Sequence, residues 1–211
     1  MAPLAGKPVL AHTLAIFAGL AAVSEIVIAI TAEDAERCRT EIVEKFGFDK
    51  VTAVVPGGER RADSVKNALA AAAPGAEAIA IHDGARPLFP AELLDEGLAE
   101  VRKEGIDGVV FGVPVTDTIK EADNDGIITG TLRRSRLWSA QTPQIFTLPA
   151  LAKAYNQPAA VLASATDDAQ LVEQAGGRVK VIMGSAQNIK LTTPVDMVLA
   201  EEIIKRRVSG L

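Results

Sequence analysis

Apolar runs of strand length, without polar alternation, recur along this chain with helical stretches between them. One is Ile26-Val-Ile-Ala-Ile30, inside a stretch at 25–31, and similar runs lie at 51–55, 78–82, 108–113 and 178–183. A strand that is apolar on both faces must be covered on both faces. The segments at 8–20, 34–46, 91–103, 148–155, 167–175 and 194–207 supply helices to cover them, and Ser64 is placed to cap a further helix reaching 73. Alternation of this kind predicts an α/β fold with a largely parallel sheet between two helical layers. A chain of 211 residues fits one domain, and folding would bury about 70% of its unfolded surface, so no disulfide or metal staple is required.

Composition excludes several function classes. Net charge is -5, whereas a general polyanion binder is basic, so broad nucleic-acid binding is not expected. Aromatic residues are only 4%, too few for base-stacking platforms. No run approaches the roughly 20 apolar residues of a membrane span. The start lacks the basic and apolar regions of a signal peptide, and the single cysteine, Cys38, excludes an internal disulfide. A reduced thiol in a cytoplasmic protein is the simplest reading. The two histidines, His12 and His82, lack metal-ligand spacing, and there is no Gly-x-Ser-x-Gly elbow for a serine hydrolase.

Four segments carry residue types suited to chemistry. Pro56-Gly57-Gly58-Glu59-Arg60-Arg61-Ala62-Asp63-Ser64 follows a strand, and its glycines let backbone amides approach a ligand; the same composition also makes an ordinary strand-to-helix turn. His82-Asp83-Gly84-Ala85-Arg86-Pro87 follows a buried strand, where open α/β sheets bind ligands. Asp83 could hold a hydrated Mg²⁺ or a substrate hydroxyl, and Arg86 could take a phosphate; a capping aspartate beside a surface arginine is the plainer alternative. Arg133, Arg134 and Arg136 make a positive centre or a solvated face, with Trp138 as a core anchor. Lys190 reads as a residue on a short strand before Thr193-Pro194, a helix start with Asp196 in its first turn, and it could neutralise phosphate charge. Between the second and third segments, residues 116–120 and 127–132 flank Asn124-Asp125-Gly126, a hairpin signal with too few apolar residues for its own core.

Read in order, Gly57-Gly-x-x-Arg61-Ala-Asp-Ser64, His82-Asp-x-Ala-Arg-Pro87, Asp117-Thr-Ile-Lys120, Arg134-x-x-Leu-Trp138, Gln141-Thr-Pro-Gln144, Thr166-Asp167 and Asn188-Ile-Lys190 resemble the 2-C-methyl-D-erythritol 4-phosphate cytidylyltransferase family. The resemblance covers essentially the whole chain. It implies a Rossmann-like α/β nucleotidyltransferase domain of three layers, with a protruding β-arm at 115–134 that forms a homodimer. The implied reaction joins CTP to methylerythritol phosphate, with Mg²⁺, and releases pyrophosphate. It also implies roles. Lys190 and Arg134 would be catalytic. Asp83, Arg86, Thr118 and Thr142 would bind the alcohol phosphate, with Thr118 and Arg134 arriving from the partner's arm. Gly58, Glu59, Ser64 and Gly84 would bind the nucleotide.

The family pattern opens with a strand and a Gly-rich triphosphate loop. Here the match begins just after that loop, at Pro3-Leu-Ala-Gly-Lys-Pro, so the expected domain is incomplete at its N-terminus. Two alternatives remain open at this stage: the sister enzyme acting on ribitol 5-phosphate, and a catalytically incomplete nucleotide-binding or dimerising module.

Overall fold

The computed structural model describes residues 2–209. A short hairpin, β1 (Pro3–Leu4) and β2 (Lys7–Pro8), leads into α1 (Val9–Ala18). Then come β3 (Ile26–Ile30), α2 (Ala32–Cys38) continued by a π-helical turn (Arg39–Glu44), β4 (Val51–Pro56) and α3 (Arg61–Ala71). The central part comprises β5 (Ala78–Ile81), α4 (Leu93–Val101), β6 (Gly108–Pro114), a hairpin of β7 (Lys120–Ala122) with β8 (Ile128–Thr131), and β9 (Trp138–Thr147). The chain finishes with α5 (Leu148–Tyr155), α6 (Ala159–Ser164), α7 (Asp168–Gln174), β10 (Val179–Met183) and α8 (Pro194–Ser209).

The principal sheet has the order β10-β6-β9-β5. Its first pair is parallel, but β9 runs antiparallel to both neighbours. The sheet is therefore mixed, and the expectation of a largely parallel sheet is corrected. The cause is β9, which sequence patterning did not reveal as a strand. Its first half, Trp138-Ser-Ala-Gln-Thr-Pro-Gln144, is polar and carries a proline, a combination that argues against a central strand. The proline is accommodated at a bulge. Val110 pairs with Gln144 and Gly112 with Ala140, so three residues of β9, Gln141 to Pro143, lie opposite Phe111 alone.

Alternation along the central strands feeds two apolar layers. Val110 and Phe146 point to α5 and α7, joined by Ala62, Val65 and Leu69 of α3. Val109, Phe111 and Ile145 point the other way, to α4 and Phe17 of α1. This is the expected three-layer arrangement. The parallel pair β3–β4 forms a separate sheet with its own core of Ile28, Cys38 and Ile42 against Ala11 and Leu14 of α1. Among the described residues, β3 and β5 each keep one edge without a strand partner. Helix α1 spans the two sheets and contributes to both cores.

Other expectations shift in detail. Helix α3 starts at Arg61 rather than Ser64, because Arg60 and Asp63 close its N-terminus: the Arg60 amide donates to Asp63 at 3.2 Å. The hairpin strands are shorter than the β-prone runs that announced them. Trp138 is 39% exposed and anchors no core. Lys190 lies in an irregular segment, not on a strand. The start of α8 matches the expected cap: Asp196 accepts from the amides of Thr192 and Thr193 at 2.9 and 2.7 Å.

Candidate active site

Strand β5 ends at Ile81, and the chain turns through His82, Asp83 and Gly84 at its carboxyl end. His82 sets the geometry of this turn. Its ring packs against Phe17, with centroids 4.8 Å apart, and its Nε2 lies 3.0 Å from the Arg86 carbonyl. A carbonyl only accepts, so Nε2 carries the proton and Nδ1 is left as an acceptor. Thr142, in the β9 bulge, fits that acceptor: its hydroxyl is 3.1 Å from Nδ1 and accepts the Asp83 amide at 3.0 Å. The bulge thus aims Thr142 at the β5 turn, a common use of an extra residue in a ladder. Burial pushes the imidazole down to about 4, so it is neutral at physiological pH.

Asp83 gathers cations. Lys190 Nζ stands 3.1 Å from its Oδ2 and Arg86 Nε 3.4 Å. Burial opposes ionisation of this carboxyl, but Lys190, Arg61 and Arg86 outweigh it and hold it below the usual aspartate range. Two contacts fix the Lys190 segment. The fully buried Asn188 donates to the Thr142 carbonyl at 2.8 Å, and Arg86 Nη1 donates to the Asn188 carbonyl at 2.7 Å. Gln141 adds a third tie, donating to the Ser185 carbonyl at 2.8 Å. Asp83, Arg86, Thr142 and Lys190, far apart in sequence, are therefore brought together. Of the four, Thr142 is buried and its hydroxyl already serves His82 and Asp83, while Lys190 remains half-exposed. Gly84 lies on the helix side: its carbonyl accepts from Thr13 of α1 at 2.9 Å.

The loop before α3 is ordered by its own groups. Gly57 donates to the Ile30 carbonyl at 2.6 Å, Gly58 donates to Ser64 Oγ at 3.0 Å, and Ser64 Oγ donates to the Arg60 carbonyl at 3.3 Å. A Cβ at Gly58 would collide with Asp63, so the loop requires glycine there. Ser64 thus braces the loop from inside α3 instead of capping the helix. Glu59 is exposed at the tip.

Arg134 and Thr118 do not join this cluster within the chain. Arg134 Nη1 donates to the Thr116 carbonyl at 2.6 Å, across the base of the hairpin, and Thr118 is exposed beside it. His82, Asn188 and Gln141 stand within the sequence motifs, but their positioning roles depend on burial and partner geometry. Arg61 and Asp168 form a further ion pair behind the loop, at 2.6 Å.

Comparison with known proteins agrees with this architecture. The family model for 2-C-methyl-D-erythritol 4-phosphate cytidylyltransferase matches residues 1–206. The enzyme of that name from Alkaliphilus oremlandii is 40% identical over 98% of this chain and 87% of its own length. That from Geotalea uraniireducens is 44% identical over 96% of this chain and 86% of its own length. Among solved structures, 4-diphosphocytidyl-2C-methyl-D-erythritol synthase from Anaerococcus prevotii superposes with a TM-score of 0.84 at 31% identity. It covers 97% of this chain and 88% of the solved one. With one family pattern running nearly the length of the chain over a shared Rossmann-like nucleotidyltransferase fold, the chain belongs to the 2-C-methyl-D-erythritol 4-phosphate cytidylyltransferase family.

Proposed function

We propose that this protein transfers a cytidylyl group from CTP to 2-C-methyl-D-erythritol 4-phosphate, giving CDP-methylerythritol and pyrophosphate for isoprenoid biosynthesis. Family membership carries this reading, and the Asp83–Arg86–Lys190 cluster at the end of β5 gives it a site. In the reaction a phosphate oxygen of the alcohol forms a bond to the α-phosphorus of CTP. The bond from that phosphorus to the bridging oxygen breaks, and the electron pair leaves with pyrophosphate. The nucleophile is already an anion, so no protein nucleophile or strong base is needed. Catalysis rests on alignment and on stabilising charge at phosphorus.

The chain's residues suit those tasks. Lys190 and Arg86 converge from different segments and would bind the incoming phosphate between them. Asp83 would accept a hydroxyl of the alcohol. The loop at Gly58 and Glu59, with Ser64 behind it, would receive the cytidine; a cytosine amine is a donor that a carboxylate such as Glu59 accepts. Mg²⁺ is held in sites of this kind by one or two carboxylates together with substrate phosphates, and Asp83 would supply one. Among the described residues no group of three His, Cys, Asp or Glu stands ready to hold a metal alone, which suits an ion carried by the triphosphate. When bound, such an ion neutralises charge building on the leaving pyrophosphate.

We further propose a homodimer formed by the hairpin arm. Ile127 and Ile128 are 65% and 59% exposed at its tip, and Ile119 and Leu132 are exposed nearer its base. Arg134 and Thr118 lie on the same arm and meet no substrate-site residue of their own chain. A second copy would bring both to the Asp83 cluster. We place the protein in the cytoplasm, in keeping with the free, fully buried Cys38; no helix among the described residues is long and apolar enough to cross a membrane.

The test is pyrophosphate release by the protein with CTP and Mg²⁺, offering methylerythritol phosphate and ribitol 5-phosphate in parallel. Turnover with methylerythritol phosphate is expected. Turnover confined to ribitol phosphate would assign the sister reaction, and CTP binding without turnover would leave a nucleotide-binding module.

A further inference from the structure

Behind the nucleotide loop lies a buried polar assembly that no step above uses. Asp168, the first residue of α7, is completely buried. One of its oxygens, Oδ1, accepts the hydroxyl of Tyr155, itself only 6% exposed. The other, Oδ2, lies 2.6 Å from Nη2 of Arg61, the first residue of α3. Gln144 of β9 clamps the same turn, accepting from the Ala169 amide at 3.1 Å and donating to Asp167 at 2.8 Å. Burying a carboxylate with one cationic partner is a poor way to stabilise a fold, since apolar residues of similar size do as well or better. The arrangement calls for another use.

Topology supplies one. The loop Gly57–Arg60 follows β4, which belongs to the two-stranded sheet, whereas Asp83 follows β5 in the four-stranded sheet. The two sheets share no strand pairing. Every other polar side-chain contact of the loop and α3, among the described residues, is local: Gly58 with Ser64, Arg60 with Asp63, and Asn67 with Pro56. Beside the apolar packing of Ala62, Val65 and Leu69, Arg61–Asp168 is the polar side-chain tie, among the described residues, from this unit to the helix layer over the four-stranded sheet. Arg61 Nη2 is the cation that faces Oδ2 of the buried Asp168, so the charge of this carboxylate is balanced from α3. On its other side the Arg61 side chain is 38% exposed.

We propose that Asp168, backed by Tyr155, is a positioning residue that acts through Arg61 to hold the Gly57–Arg60 loop at the distance from Asp83 that a bound nucleotide spans. This inference rests on the cytidylyltransferase reading for the identity of the nucleotide. Its role is in CTP affinity and not in phosphate-alcohol recognition, which Arg86 and Lys190 serve.

The experiment measures CTP binding by titration calorimetry, steady-state constants for both substrates, and melting temperature. The proteins are the parent, Asp168→Asn, Arg61→Lys, Arg61→Ala and the Asp168→Asn/Arg61→Ala double variant. Asp168→Asn keeps the shape and the Tyr155 contact but removes the charge; Arg61→Ala removes a partly exposed side chain and tests the same link should Asp168→Asn fail to fold. Expected are an approximately tenfold weaker CTP affinity and higher KM for CTP in both, with KM for methylerythritol phosphate within about twofold of the parent. The double variant should lose no more than either single, because both remove one coupling. Arg61→Lys should recover part of the loss. Unchanged CTP affinity in folded variants, whatever their melting temperatures, overturns the proposal, as do additive losses. A parent that binds CTP without turnover sinks the reaction reading alone and leaves the CTP comparison decisive. A parent that binds no CTP overturns both.

Discussion

At the scale of single residues, the site is organised around a histidine that does no chemistry. His82 donates to the Arg86 carbonyl and accepts from Thr142, which receives the Asp83 amide. The folded protein therefore requires the neutral ring. An unfolded chain protonates this histidine near 6.5, the folded one only near about 4. The contribution to stability is complete above pH 6.5 and is lost as pH falls toward 4, amounting to about 3 kcal/mol at most. Urea unfolding at pH 7 and pH 4.5 should show that loss, and His82→Asn should flatten the dependence in this window. Lys190 carries the opposite kind of role, being half-exposed and tied to the rest of the site by a single salt bridge to Asp83. Lys190→Ala should lower kcat by roughly 10²–10³-fold, as loss of a charge-stabilising donor does, with little change in melting temperature. A variant that melts much earlier would assign Lys190 to the fold instead. Asp83 and Arg86 could be singled out in the sequence because their residue types stand just after a buried strand, whereas Lys190 was expected on a short strand and lies in an irregular segment, its role implied by the family resemblance. Asn188 and Asp168 could not be: each acts from full burial, which a sequence does not display.

At the scale of elements, the strands and helices with strong apolar patterning were readable, and those whose burial is imposed by neighbours were not. Strands β3 to β6 were legible as unbroken apolar runs, whereas β9 begins in polar residues and becomes central only because β5 and β6 close on both sides of it. Helix α3 starts one turn before the cap that residue type suggests. Ser64 is a good cap by type, but the Arg60–Asp63 pair closes the helix earlier and frees Ser64 to brace the loop. Helix α4 shows how closely the layers approach. A Cβ at Gly97 would come within 2.6 Å of Ile145 Cδ1 and 2.8 Å of Phe111 Cζ. Gly97→Ala, which raises helix propensity, should nonetheless destabilise by about 1–3 kcal/mol through overpacking, read as a lower melting temperature.

At the scale of the molecule, a hairpin arm carries its own cations, Arg134 among them, outside the Asp83 cluster of the body. If two copies complete each other's sites, Arg134→Ala and Lys190→Ala proteins should each be inactive and yet recover activity when unfolded and refolded together. Each mixed dimer would hold one site with both residues intact, so recovery should approach roughly a quarter of parental activity at random pairing. No recovery would place Arg134 and Lys190 in the same chain's site or outside catalysis. The split between the two sheets has a consequence of another kind, in the rate at which backbone protons trade with solvent. Val109 and Ile145, on β6 and β9, lie in the ladder's interior and are fully buried; their amides should exchange only when the whole protein opens. Ala29 and Ala80 sit exposed on β3 and β5, each of which has, among the described residues, one edge without a strand partner. Deuterium should enter there first, so that the label would trace a seam between the two sheets.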